Sequence, residues 1–260
     1  ALTGLVLTAV LLSGAGLQAA PSLAEMPTVI ASVTVGTGNP SNGPEGVAID
    51  TERNRVFVTN SRDNSVYVID GNTHTVLSVI THSSLIAPWG AAYNPNNGKV
   101  YVASNGRNSV VVINAATFLV EQELGHPSLN LPDQVVVDAL RNLVYVSNST
   151  GGQITVINGQ NNTIAATFSA VVTAPHHIAV DSSRNRIYVT NLFYLPPEGP
   201  DTMHVFSNLS FTEIGRRNAL AGPHGMAVRS VNGAIYVAQN FSNTNQWRVA
   251  VVNAGDLGFA

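Results

Sequence analysis

Gly43-Pro44-Glu45-Gly46-Val47-Ala48-Ile49-Asp50 is a stretch of eight residues that returns four times along the chain in altered form. The later copies begin at Ala87, Leu131, Ala174 and Gly222, and each has proline at its second position. These prolines lie 44, 44, 43 and 48 residues apart. A near-constant period of this length indicates a repeat architecture in which each repeat is one supersecondary unit. The chain is therefore expected to contain about five tandem copies of one unit.

Each unit has the pattern of four short β-strands. The repeated stretch is followed by a turn containing Asn or Gly and then by an alternating run, such as residues 56–60 or 100–104. That order is a hairpin signature. A third alternating run, residues 65–70, and a more polar fourth run, residues 75–80, complete the first unit. Four antiparallel strands per period of about 44 residues predict the blade of a β-propeller. Helical solenoids are excluded, because apolar residues recur at every second position rather than every third or fourth.

The second strand of the unit carries a recurring four-residue motif. Its clearest copies are Phe57-Val58-Thr59-Asn60, Tyr145-Val146-Ser147-Asn148 and Tyr188-Val189-Thr190-Asn191. These residues resemble the YVTN β-propeller repeat family, and the likeness covers about residues 28–253. The resemblance implies an all-β propeller of four-stranded antiparallel blades and an exported binding scaffold of the surface-layer or periplasmic type. It implies no reaction.

The two ends of the repeat array leave two interpretations open. Residues 28–36 have the pattern of a lone outer strand, and the fifth copy reaches Ala260 before its own outer strand forms. In the first interpretation the two segments complete one blade, and this strand exchange closes the ring and removes its exposed edges. In the second, the chain is a fragment of a six- or seven-bladed propeller, the more usual size in this family.

The amino-terminal segment is expected to be a signal peptide. Residues 1–24 contain no charged residue, and the apolar run from Leu2 to Leu12 resembles the hydrophobic region of a secretory signal. This run is shorter than the roughly 20 apolar residues that span a bilayer. We therefore expect a signal peptide in residues 1–24 and a propeller in residues 28–260. The mature chain is expected to lack a transmembrane span and to be periplasmic, secreted or on the cell surface.

Composition narrows the range of functions. Only 10% of the residues are charged, the formal net charge is -3, and Lys and Arg are scattered singly. No positive stripe can neutralise a run of phosphates, so nucleic acid is not an expected partner. The absence of cysteine excludes disulfides, a thiolate metal site and a cysteine nucleophile. No nucleophile elbow, phosphate-binding glycine loop or His-Glu-x-x-His helix is present in the sequence.

The residues that follow the repeated prolines are the candidate ligand-binding residues. The innermost strand of a propeller blade begins near the central axis, so equivalent positions at its start form a ring around one mouth of the channel. The ring comprises Glu45, Trp89, Asp133, His176 and His224, and His177 follows directly on His176. Longer loops are inserted on the same face at residues 192–202 and 240–246. A polar ring beneath two elaborated loops is the expected ligand site.

Two functions fit this ring. The first is a non-catalytic exported scaffold, without cofactor, that presents its loop-rich face to a protein, glycan, small molecule or cell-envelope partner. The second is a metal-dependent lyase or hydrolase in which His176, His224, Glu45 and Asp133 hold one divalent cation such as calcium or zinc. A water bound to that ion would act as base or nucleophile. The scaffold is preferred, because the mouth of a water-filled channel is lined by polar residues in any case.

Overall fold

The computed structural model describes residues 29–36, 43–170, 174–191, 202–218, 222–241 and 246–253. The chain divides into two compact units, residues 1–32 and residues 33–260. The predicted signal peptide, residues 1–24, lies outside the described residues. Within the described ranges, no helix has the length and hydrophobicity that a membrane span needs.

The second unit is all-β and contains five antiparallel sheets, each made of consecutive strands. The first sheet consists of β1 (Pro44–Asp50), β2 (Arg55–Asn60), β3 (Ser65–Asp70) and β4 (Val76–Thr81). The second consists of β5 (Pro88–Asn94), β6 (Lys99–Ser104), β7 (Ser109–Asn114) and β8 (Val120–Gly125). The third consists of β9 (Pro132–Asp138), β10 (Leu143–Asn148), β11 (Gln153–Asn158) and β12 (Thr163–Ser169). The fourth consists of β13 (Pro175–Asp181), β14 (Arg186–Asn191), β15 (Thr202–Ser207) and β16 (Glu213–Asn218). The fifth consists of β17 (Pro223–Arg229), β18 (Ala234–Phe241) and β19 (Gln246–Asn253).

The predicted β-propeller with five blades is confirmed, and each repeated proline begins the innermost strand of one sheet. The turns between the first two strands have a clear local cause. Asn54, Asn142 and Asn185 adopt positive φ angles of 50°, 53° and 57°, a conformation that Asn tolerates better than most residues. At the end of β1, Asp50 Oδ1 accepts hydrogen bonds from the backbone N–H groups of Glu52 and Arg53, both at 3.1 Å. In these three hairpins a polar residue adopts the backbone conformation that the turn requires, and in the turns between β5 and β6 and between β17 and β18 Gly98 and Gly233 do so.

The ends of the array differ from the prediction. Residues 29–36 form no strand, so the predicted lone outer strand at residues 28–36 is wrong over its described part. The Asn60 side-chain amide donates to the carbonyl of Val35 at 3.5 Å, so a side chain rather than a strand ladder contacts this segment. Among the described residues the fifth sheet has three strands rather than four. A strand needs a continuous row of backbone partners, and no strand among the described residues pairs with residues 29–36.

The five sheets pack face to face around a common centre. The innermost strands contact one another in the order β1, β5, β9, β13 and β17. Between neighbouring sheets lie hydrophobic clusters in which Phe57, Tyr101, Tyr145 and Tyr188 are fully buried. No contact of comparable extent joins β17 to β1 within the described ranges. This packing brings the first residues of the innermost strands side by side.

Candidate functional site

A β-bulge follows the proline of every innermost strand. In the first sheet Pro44 pairs with Asn60, but the next pair joins Val47 to Val58, so the innermost strand contains one additional residue. The same shift occurs after Pro88, Pro132, Pro175 and Pro223. A bulge bends the strand locally and changes the direction of its side chains. The residues immediately after each proline therefore leave the regular alternation of the strand.

These residues line one pocket, which we call the axial pocket. It has a volume of about 230 Å³ and is lined by Glu45, Trp89, Gly90, Asp133, Gln134, His176 and His177. Five of the six residues expected to bind a ligand are thus brought together from four different sheets. The sixth, His224, lies in β17, but its side chain is outside the described part of the structure. The role of these residues in binding stays a prediction.

Gln134 was not expected in the pocket. Gln134 directly follows Asp133, and His177 directly follows His176. All four residues line the cavity. In a regular strand successive side chains point to opposite faces, so the alternation pattern places only one of each pair on the axis. The bulge overrides that alternation. The repeated proline, which directly precedes each bulge, is a sequence signal that marks the position of the bulge.

The innermost strands approach so closely at the pocket that glycine is required. A Cβ atom on Gly90 would lie 2.5 Å from the carbonyl oxygen of Asp133 and 2.8 Å from the Cα of Gln134. Both neighbours are backbone atoms, so they cannot move aside as a flexible side chain does. Gly46 has the same relation to the backbone of Trp89 and Ala91. These glycines let consecutive blades bring their pocket residues within reach of one another.

Hydroxyl groups on the second strands hold the pocket residues in register. Ser147 Oγ accepts from the backbone N–H of Gln134 at 3.0 Å and donates to the carbonyl of His176 in the next sheet at 3.0 Å. Thr59 Oγ1 accepts from the backbone N–H of Gly46 at 2.8 Å and donates to the carbonyl of Trp89. Each hydroxyl thus ties the bulge of one blade to a pocket residue of the following blade. Thr59 and Ser147 both occupy the third position of the four-residue strand motif. The recurrence of a hydroxyl residue at this position is the sequence signal that could have identified them as contacts of the pocket residues.

The electrostatic centre of the axial pocket is Asp133. Its side chain is only 2% exposed, and Oδ2 lies 3.3 Å from Nε2 of His176. Burial, together with the negative charge of Glu45, raises the pKa of Asp133 to about 7. A proton on His176 would act in the opposite direction, because a cation at this distance favours the carboxylate. Near neutral pH the pocket therefore contains a carboxyl group that can both donate and accept a hydrogen bond.

The two histidines form a compact aromatic pair beside this carboxyl group. The rings of His176 and His177 meet edge to face, with their centroids 4.5 Å apart. On the other side of the pocket, Glu45 accepts a hydrogen bond from Ser61 Oγ at 3.1 Å. Trp89 adds a large aromatic side chain that is partly exposed. The axial pocket thus combines one indole ring with hydrogen-bond donors and hydrogen-bond acceptors.

The residues do not fit the predicted metal site as far as their side chains are described. No group of three or more His, Asp or Glu side chains is placed to hold a metal ion in the described ranges. Glu45, Asp133 and His176 alone therefore do not form a ligand set. The predicted fourth ligand, His224, has no described side chain. A divalent cation bound by all four residues stays a prediction.

The two loops expected above the ring lie mostly outside the described residues. Of residues 192–202, only Thr202 is described, and it begins β15. Of residues 240–246, residues 242–245 are not described.

Comparisons with known proteins support the fold and leave the function open. No protein-family model matches the chain, and no curated protein matches it either. Among solved structures, a chain of the Kuenenia stuttgartiensis hydrazine synthase is similar, with a TM-score of 0.68 and 14% sequence identity. The match covers 90% of this chain and 71% of that chain. At this identity the likeness concerns the β-propeller fold alone, and the resemblance to the YVTN β-propeller repeat family stays a prediction.

Proposed function

We propose that this chain is an exported, non-catalytic β-propeller scaffold that binds one group of a larger protein, glycan or cell-envelope partner in the axial pocket. The observation that carries the proposal is the convergence of side chains from four sheets on one cavity of about 230 Å³. Convergence of a few polar groups and an aromatic ring in a concave site is typical of ligand binding. Export is supported by the uncharged, apolar segment of residues 1–24.

The size of the pocket indicates how much of a partner it holds. Pockets for drug-sized ligands usually measure roughly 300 to 1,000 Å³. The axial pocket is smaller, so it suits one sugar ring or one side chain that projects from a larger molecule. The indole of Trp89 can stack on such a group, while Asp133, Gln134 and the histidines supply hydrogen bonds. Affinity beyond this contact would come from the surface around the pocket.

Binding is tested with the purified chain on glycan and peptide arrays. Ligands that use the axial pocket are expected to lose affinity by about tenfold or more in Trp89→Ala, because truncated aromatic anchors have effects of this size. Leu140→Ala is the matched control, since Leu140 is 73% exposed in the turn between β9 and β10, at the other end of those strands. Equal binding by Trp89→Ala, or no ligand on either array, would contradict the proposal. Export is tested separately by fusing residues 1–28 to a reporter that is active only outside the cytoplasm.

A metal-dependent lyase or hydrolase is the second candidate, and it would need His224, whose side chain lies outside the described residues, to complete a ligand set with His176, Asp133 and Glu45. Because the pKa of Asp133 is raised to about 7, its carboxyl group can exchange a proton near neutral pH. A resident cation would stabilise the folded protein by mass action. Thermal melting with chelator, calcium, zinc and manganese should then show a metal-dependent shift that disappears in His176→Ala and His224→Ala. If the melting temperature is the same with chelator as with calcium, zinc or manganese, this candidate is excluded.

A further inference from the structure

The described lining of the axial pocket contains two carboxyl groups and no permanent cation. Glu45 and Asp133 come from different sheets, and no lysine or arginine is among the described residues that line the cavity. In this described lining, only the imidazoles of His176 and His177 can become cations. A phosphate, sulfate or carboxylate ligand would therefore meet groups of its own charge, which is a means of rejecting anionic ligands.

The surroundings of Asp133 disfavour its negative charge. Its side chain is 2% exposed, and the charge of Glu45 acts on it in the same direction as burial. A cation beside both carboxyl groups would offset burial and repulsion together, whereas a neutral ligand would leave the repulsion unchanged. A protonated His176, with Nε2 at 3.3 Å from Oδ2, supplies one such charge. Two carboxylates would still face that imidazolium, and a carboxylate accepts several hydrogen bonds at once, so a further cation can bind.

The other residues of the pocket suit an ammonium group. The partly exposed indole of Trp89 is the best aromatic partner for a cation that lies over its face. Glu45 on β1 and Gln134 and Asp133 on β9 approach the cavity from different sheets. An ammonium group has three N–H donors that point in different directions, whereas the planar guanidinium group matches a single carboxylate.

We propose that the axial pocket holds the ammonium group of a lysine side chain on a protein partner, bound by Glu45 and Asp133 and covered by the indole of Trp89. A lysine carries its charge on a slender stem of four methylenes, and such a group can reach a carboxyl that is only 2% exposed. An amino sugar would have to bring its whole ring into a cavity of about 230 Å³. The inference rests on the proposed function and names the chemistry of its ligand.

The first test compares ligands that differ only at the charged group. Isothermal titration with acetyl-Gly-Lys-Gly-amide is compared with the same peptide containing ε-N-acetyl-lysine, which keeps the stem and removes the charge. The lysine peptide is expected to bind about tenfold more tightly or better, since it alone pairs with the buried carboxyl. The arginine peptide and glucosamine complete the series, and chelator is present throughout so that no metal ion occupies the pocket. Equal or tighter binding of any of these three ligands would overturn the inference.

The second test removes one negative charge at a time. Glu45→Gln, at an exposed residue, and Asp133→Asn are each expected to weaken binding of the lysine peptide by about tenfold and to change binding of the acetylated peptide little. Glu52→Gln removes the same charge from an exposed turn residue at the other end of β1 and is the matched control. Circular dichroism checks folding, and Glu45→Gln suffices if Asp133→Asn misfolds. Unchanged affinity in Glu45→Gln, or an equal loss in Glu52→Gln, would contradict the inference.

Failure of this inference differs from failure of the proposed function. If the ligands found on the arrays depend on Trp89 but contain no ammonium group, the pocket is a binding site and only the lysine assignment is wrong. If no ligand depends on Trp89, both are wrong. If lysine peptides depend on Trp89, Glu45 and Asp133 together, both are supported.

Discussion

Asp133 shows at the scale of one residue how position in the fold changes chemistry. In the sequence it is one of several acidic residues next to a proline. In the folded chain its side chain is 2% exposed, and its Oδ2 lies 3.3 Å from Nε2 of His176. The negative charge of Glu45 is close enough to raise the pKa of Asp133. The two effects that raise its pKa, burial and a like charge, both come from the packing of neighbouring blades.

The raised pKa of Asp133 predicts a pH-dependent stability. Because the folded pKa of about 7 lies above the ordinary value of 3.8, the native state holds this proton more tightly than the unfolded state. The resulting stabilisation is fully present below about pH 4 and is lost as pH rises through about 7. Each pKa unit corresponds to about 1.4 kcal/mol, so the loss is on the order of 4 kcal/mol.

Thermal melting at several pH values checks this expectation. Asp133→Asn keeps most of the hydrogen-bonding groups without the charge, so its melting temperature should depend less on pH across this range. Glu52→Gln, a change at an exposed turn residue, should leave the wild-type pH profile intact. Parallel profiles for the wild type and Asp133→Asn would contradict the assignment of the raised pKa.

At the scale of the element, the innermost strand decides the shape of the pocket. Its proline and bulge direct two successive side chains toward the axis, and a hydroxyl from the second strand ties the bulge to the next blade. Gly90 allows the backbones of β5 and β9 to meet at this point. The geometry of the axial pocket thus depends on strand backbone rather than on loops.

The close approach at Gly90 predicts a large effect for a small substitution. In Gly90→Ala the new methyl group would meet backbone atoms at 2.5 and 2.8 Å. Overpacking of this kind typically costs about 1 to 3 kcal/mol, which corresponds to roughly 2–12 °C in the melting temperature of a domain of this size. Gly125→Ala in β8 is the matched control, because a Cβ there meets no atom within 4 Å. Equal melting temperatures for the two variants would show that the innermost strands are not tightly packed.

At the scale of the whole molecule, the array has interior blades and end blades that carry the same residues in different surroundings. Tyr188 and Tyr236 occupy equivalent positions on β14 and β18. The first is 0% exposed between the fourth and fifth sheets, and the second is 36% exposed at the end of the array. Burial therefore depends on a neighbouring sheet rather than on the residue itself.

This difference predicts unequal costs for the same substitution. Tyr188→Ala is expected to lower the free energy of unfolding by about 3 to 5 kcal/mol, the usual effect of removing a buried aromatic side chain. Tyr236→Ala should cost about 1 kcal/mol, because its ring keeps much of its contact with water. Urea unfolding at low protein concentration measures both values. Equal costs would indicate that Tyr236 is covered in the monomer.

Much of the fold could be predicted because its information is local and repeated. Prolines at near-constant spacing, strand alternation and Asn-containing turns are apparent directly in the sequence. They correctly predicted five blades, and four of the five residues that they placed at one ring, Glu45, Trp89, Asp133 and His176, line one pocket. The prediction of a strand at residues 28–36 was wrong, since an alternating pattern does not by itself provide a partner strand. Gln134 was missed because a bulge breaks the alternation on which the prediction relied.

The order of the strands within a repeat and the number of repeats follow from the amino-acid pattern alone, since alternation and turn residues recur within each unit and one proline marks each unit. The raised pKa of Asp133, the bridging hydroxyls of Thr59 and Ser147 and the unequal burial of Tyr188 and Tyr236 depend on contacts between units. Such contacts join residues that are distant along the chain. Their distances and burial exist only once the sheets have packed, so folding in three dimensions decides them.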